Sequence, residues 1–109
     1  MTPEEFVHFC AQEKTSQLTT YFSGDPTHVS QLITSLGLSS DQVSTLRSLL
    51  DSALTDAYYT LLLALDGAAS LGGAQELYTL RSADGTELSG HLEGPAWERF
   101  HGPAHAGKV

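Results

Sequence analysis

A run with helical periodicity, Ser40–Asp66, constrains the fold more than any other part of this chain. Ser39, just before the run, and Gln42, within its first turn, have the spacing of a capping box, in which each side chain hydrogen-bonds the other residue's backbone N–H. Apolar residues then recur every three or four positions over Val43–Leu65, which is the period of one helix face. After Ala57 they surround the helix, a pattern typical of a helix buried on all sides. We therefore predict one long helix whose second half is the centre of the domain.

Two shorter helices are predicted before the long one and one after it. Thr2 and Asp25 can each cap a helix, and each precedes a proline, which suits the first helical position. These signals predict one helix that runs to about Phe22 and another that Gly37 closes. A short last helix is predicted over 95–101, because the chain there opens with a Gly-Pro pair and continues with apolar residues on one face.

The segment between the long helix and the last one has the period of a β-strand. Residues 76–82 and 86–92 alternate between apolar and polar side chains, and a three-residue loop ending in glycine, 83–85, joins them. This register puts Arg81 opposite Glu87. A lone two-stranded hairpin is marginal in water, so it must pack on the helices or pair with another chain. The expected fold class is α+β: three N-terminal helices, the third long and central, then a two-stranded antiparallel β-hairpin and a short C-terminal helix.

The length of the chain, 109 residues, is that of one domain with a modest core. We expect a single compact α+β domain over residues 1–102 and a flexible C-terminal tail over residues 103–109.

The charge of the chain narrows the classes of partner. Thirteen acidic and five basic residues give a formal net charge of −8, and the basic residues are scattered singly. Without a basic patch we expect no binding to nucleic acid or to an anionic membrane surface. The apolar run is also too short to span a bilayer. A single cysteine and an opening MTPEEF without a signal-peptide pattern predict a cytoplasmic protein.

The residue patterns of catalysis and of metal binding are missing from the sequence. No G-x-S-x-G motif occurs, and the glycine-rich segment 67–73 lacks both the Walker lysine and the dinucleotide fingerprint. His101 and His105 have helical spacing, but Gly102-Pro103 between them breaks the helix. We therefore predict no catalytic residues, no metal site and no cofactor, and we favour a non-enzymatic role over an enzyme.

The leading hypothesis is a small acidic binding protein that inhibits or regulates a basic protein partner, which the negative field would attract. Its candidate partner-binding residues are Asp41, Asp51 and Asp56, on the polar side of the long helix. In size, acidity and layout the chain is similar to the small acidic inhibitor proteins of bacteria, such as immunity proteins, although no motif carries this likeness of class.

A second hypothesis is a small-ligand-binding homo-oligomer with a pocket near Tyr59 and Asp66. The two residues lie two turns apart on one face, and a carboxylate beside a buried segment needs hydrogen-bond donors. A purely structural explanation is that Asp66 ends the long helix and caps the backbone of residues 67–73. A small enzyme that uses Asp66 as a base is the third hypothesis.

Overall fold

The computed structural model describes residues 1–102 and contains four α-helices over that range. They are α1 (Pro3–Phe22), α2 (His28–Ser35), α3 (Ser40–Leu65) and α4 (Glu93–Phe100). No strand or sheet forms within these residues, so the predicted α+β class and its β-hairpin are wrong and the described fold is helical. The predicted flexible tail, 103–109, lies outside the described residues.

Reciprocal caps start α1 and α3 where the sequence predicts. The Glu5 N–H donates to the Thr2 hydroxyl, and the Thr2 N–H donates back to the Glu5 carboxylate. Ser39 and Gln42 exchange the same two hydrogen bonds at the start of α3. Each box satisfies N–H groups that a helix cannot satisfy by itself.

The starts of α2 and α4 differ from the prediction. Thr27 rather than Asp25 caps α2, because Thr27 and Ser30 form a capping box of their own. α4 begins at Glu93, two residues before the predicted proline, and its N-cap residue, Leu92, makes no capping hydrogen bond with its own side chain. The cap of α4 comes instead from Asp66, which is distant in sequence.

The hydrophobic core lies between α1, α3 and α4, and α2 packs against α1. Tyr58 of α3 stacks on Phe100 of α4 with the ring centroids 6.3 Å apart. The buried apolar cluster draws on both ends of the chain and comprises Val7, Leu62, Leu88, Leu92, Ala96 and Phe100.

The side of α3 that meets the core leaves part of the apolar surface of the helix outside it. Thr55 and Leu62 are buried on the inward side, where α1 and α4 both pack. On the other side Leu49 is 59% exposed and Leu61 is 46% exposed. Among the helices of residues 1–102, only α1 and α4 contact α3. The prediction that the second half of this helix is buried on all sides is therefore wrong.

The predicted hairpin is reduced to a turn with a single bridge. Arg81 and Glu87 form an isolated antiparallel bridge, which is the predicted pairing. The Leu88 N–H donates to the Leu80 carbonyl at 2.8 Å, in the same register. Pairing does not continue beyond Leu80 in the described residues, so no ladder develops.

Asp66 explains why the hairpin stops. Its carboxylate accepts the backbone N–H groups of Gly90, Leu92 and Glu93. These three bonds turn the chain into α4, away from the positions opposite residues 76–79. Hydrogen bonds to an ionised acceptor are stronger than those of a neutral ladder, so the turn prevails over strand pairing.

No helix of residues 1–102 combines the length with the apolar character that a membrane crossing requires.

Candidate functional site

The three carboxylates predicted to bind a partner do not act as one group, because Asp51 is engaged inside the fold. Its Oδ1 lies 2.7 Å from Nζ of Lys14, a residue of α1 that is 6% exposed. The Lys14 ammonium also donates to the Thr55 hydroxyl at 2.9 Å and lies 5.6 Å from the centroid of the Phe100 ring. The charge of Asp51 is therefore matched by a buried cation that joins α1 to α3.

Lys14 was not predicted as a buried residue, because it stands among polar residues in the middle of α1. Val7, Lys14 and Leu18 are spaced seven and four residues apart, which places them on one helix face. That spacing was the signal for a buried lysine, and all three residues are buried in the structure.

Asp41 and Asp56 are both exposed on α3, at some distance from each other. Fifteen residues of helix separate them by about 22 Å along the axis and by about 60° around it. Neither belongs to an ion pair within residues 1–102. Their charges remain directed to solvent.

An apolar groove lies on α3 beside Asp41. It has a volume of about 370 Å³ and is lined by Leu38, Leu46 and Leu49 together with polar groups of the first turns. The exposed face continues beyond it with two small residues, Ala53 and Ala57, which are exposed as well. Small side chains let another helix approach closely. We call this face the α3 surface, and its residues are Asp41, Gln42, Leu46, Leu49, Ala53, Asp56, Ala57, Thr60 and Leu61.

The α3 surface has the spacing of a helix-packing seam. Along its centre the residues are four and three positions apart in turn, as in the contact face of a coiled coil. They are Gln42, Leu46, Leu49, Ala53, Asp56 and Thr60. Since neither α1 nor α4 covers this side, the seam faces solvent in the described structure.

Asp66 has the structural role of a cap, although for a different segment from the one predicted. Its Oδ1 accepts the N–H of Gly90 at 2.7 Å, and its Oδ2 accepts those of Leu92 and Glu93 at 2.8 Å each. It therefore holds residues 90–93 rather than residues 67–73. Both oxygens are occupied by backbone donors, which leaves limited capacity for a ligand.

Tyr59 packs at the edge of the core. Its ring meets His101 edge to face, with centroids 4.6 Å apart, and it contacts the buried apolar cluster. Within residues 1–102 no hydrogen bond joins Tyr59 to Asp66. The ligand-binding role of this pair stays a prediction.

Within residues 1–102, the groups relevant to nucleophilic and metal chemistry include the Cys10 thiol, the Tyr58 hydroxyl and the possible metal ligands. Burial raises the pKa of the Cys10 thiol, which favours the unreactive protonated form. Burial, followed by the charge of Glu13, also raises the pKa of Tyr58, whose hydroxyl donates to Gln17 at 2.9 Å. Among residues 1–102 no group of three or more His, Cys, Asp or Glu side chains is placed to hold a metal ion.

Comparison of the chain with protein-family models, with curated proteins and with solved structures gives no match.

Proposed function

We propose that this protein is a non-enzymatic binding protein that inhibits or regulates a basic protein partner, and that the α3 surface holds the partner. One observation supports the proposal above all: the longest helix keeps large apolar side chains outside the core, with an apolar groove of about 370 Å³ at Leu46 and Leu49 and two exposed carboxylates on the same helix. Large apolar side chains exposed on one part of a surface are typical of a site that another protein covers.

The apolar part of the α3 surface would supply most of the affinity. Complete burial of a leucine side chain is worth about 1.5–3 kcal/mol. Leu49 is 59% exposed and Leu61 is 46% exposed, so a partner could recover roughly half of that at each. Ala53 and Ala57 between them give a partner helix room to approach.

The acidic part of the α3 surface would favour a partner that carries positive charge. A basic partner gains from the net charge of −8 as it approaches and from Asp41 and Asp56 once bound. A helix with apolar residues every three or four positions and Lys or Arg at its margins has this chemistry. We place the interaction in the cytoplasm, where the Cys10 thiol stays reduced.

The experiment is a pull-down from the native host with the full chain as bait, at low and at high salt, read by mass spectrometry. Affinity for the recovered protein is then measured for Leu49→Ala and for the double variant Asp41→Asn/Asp56→Asn. Leu36→Ala and Glu87→Gln are matched controls, because both residues are exposed and lie outside the α3 surface.

We expect Leu49→Ala to weaken binding about tenfold, which corresponds to ~1.4 kcal/mol. The double aspartate variant should weaken it several-fold at low salt and less at high salt, because exposed charges are screened. Unchanged affinity in both variants, or recovery of an acidic partner, would overturn the proposal.

A further inference from the structure

A five-residue segment, Gln75–Thr79, has backbone groups without partners inside the described fold. Within residues 1–102 no hydrogen bond uses a backbone N–H or C=O of these five residues. They belong to neither a helix nor a turn. Backbone groups of this kind are usually paired with other backbone or with water. We call Gln75–Thr79 the open segment.

The open segment lacks partners because its hairpin mate is held elsewhere. In the register of the Arg81–Glu87 bridge, residues 89–93 would run beside it. Asp66 instead draws Gly90, Leu92 and Glu93 into the start of α4. Before Leu80 one side of the predicted hairpin therefore remains without a partner within residues 1–102, and its backbone groups stay open to pairing with another chain.

The side chains of the open segment also face solvent. Leu77 is 82% exposed, more than any other large hydrophobic residue of the described chain, and Tyr78 is 37% exposed. An exposed strand edge that carries large apolar residues is a template for pairing with another strand.

We propose that the open segments of two copies of this chain pair as antiparallel strands about a two-fold axis through Leu77. In a sheet shared by two copies, a two-fold axis perpendicular to the sheet keeps equivalent side chains on the same face. Such an axis must pass midway between one residue and the same residue of the second copy. Leu77 is the middle residue of the open segment. With the axis at Leu77, all five residues of the open segment are paired. Any other position of the axis leaves at least one of them without a partner in the segment.

The side chains fit this register. Leu77 meets Leu77 of the second copy, Gln75 meets Thr79, and Glu76 meets Tyr78. No two charges are directly opposed. An axis at Glu76 would instead place two carboxylates opposite each other, and an axis at Tyr78 would pair Glu76 with Leu80, whose carbonyl already accepts from Leu88.

This pairing is independent of the proposed binding at the α3 surface, and salt separates the two. Each copy carries a formal charge of −8, so self-association must overcome mutual repulsion and should strengthen as salt rises. Binding of a basic partner should weaken as salt rises. Failure of either proposal therefore leaves the other testable.

The test is disulfide cross-linking of the full chain in a Cys10→Ala background, with copper–phenanthroline as the oxidant and a non-reducing gel as the readout. Residues directly opposed in an antiparallel pair have Cβ atoms about 4.5–5.5 Å apart, within reach of a disulfide after a small adjustment. Leu77→Cys should therefore cross-link readily, whereas Glu76→Cys should not, because residue 76 opposes residue 78. The double variant Glu76→Cys/Tyr78→Cys should recover cross-linking.

Leu36→Cys is the control for collision, because Leu36 is 60% exposed and lies at the end of α2. We expect Leu77→Cys to cross-link about tenfold faster than Leu36→Cys. The proposed dimer holds residue 77 of one copy opposite residue 77 of the other, whereas residue 36 meets its counterpart only by collision. Sedimentation equilibrium of the unmodified chain should show a dimer whose population rises with protein concentration and with salt. Equal rates at positions 36, 76 and 77, or a monomer under all conditions, would overturn the proposal.

Discussion

Removal of Asp51 should destabilise the fold more than removal of Lys14, although both belong to one ion pair. The Lys14 side chain is 8% exposed and the Asp51 side chain is 33% exposed. In Asp51→Ala the buried ammonium keeps, within residues 1–102, the Thr55 hydroxyl and the Phe100 ring as partners. Loss of one partner of a buried pair typically costs 3–5 kcal/mol, and because water reaches Asp51 we expect about 2–3 kcal/mol here.

Lys14→Met leaves a carboxylate that water can solvate and keeps most of the buried stem of the side chain. We expect this variant to lose about 1 kcal/mol or less. The double variant Lys14→Met/Asp51→Ala carries no unpaired charge, so its loss should be smaller than the sum of the two single losses by about 1–2 kcal/mol.

Urea unfolding followed by circular dichroism at 222 nm measures these free energies, with a constant m-value as the check that the denatured state is unchanged. Strict additivity of the two substitutions would refute the reasoning, as would a larger loss for Lys14→Met than for Asp51→Ala. Either result would mean that the buried ammonium is stabilised by groups other than Asp51.

Three further predictions concern the segment after α3. Asp66→Asn places an amide NH₂ near backbone N–H donors, so unfolding should become easier by about 2–3 kcal/mol in urea, and a loss below about 0.5 kcal/mol would contradict the capping role. Gly67→Ala should cost about 1 kcal/mol, because φ at Gly67 is +76°, whereas Gly94→Ala, in α4 with open space around it, should be neutral or slightly stabilising; equal effects would be the contrary result. Hydrogen bonds from the Ser82 hydroxyl and then the Thr86 N–H hold the pKa of Asp84 well below its ordinary value of 3.8. Since the folded-state pKa is the lower one, the stabilisation is present above about pH 4 and is lost as pH falls through the lowered pKa. A carboxyl titration followed by NMR with a midpoint near the ordinary value would disprove this.

The starts of α1 and α3 could be predicted because their N-terminal caps are made by residues close in sequence. Thr2 with Glu5 and Ser39 with Gln42 form their boxes whatever the rest of the chain does. The start of α4 could not be predicted in this way, because the cap comes from Asp66 across the intervening segment. The same long-range bonds made the β-hairpin prediction wrong, although the Arg81–Glu87 pairing was confirmed.

For a related reason, the sequence could not predict which side of α3 faces the core. Hydrophobic periodicity favours the side of Leu46, Ala57 and Leu61 as the inner face. The fold instead turns Asp51 and Thr55 inward, because the Lys14 ammonium of α1 binds both of them. Periodicity on one helix cannot reveal a polar contact with another helix, so of the three predicted partner-binding carboxylates Asp51 could not be separated from the rest.

The core of this protein is built from both ends of the described chain, since Val7 of α1 and Phe100 of α4 belong to one buried cluster. During synthesis Val7 leaves the ribosome before the rest of this cluster, and its partners follow 55 (Leu62) to 93 (Phe100) residues later. Until then the side of α3 that packs on α4 lacks its cover. Folding must therefore follow translation of α4, and a chain that stops short of that helix would present an unfinished apolar surface to proteases and chaperones.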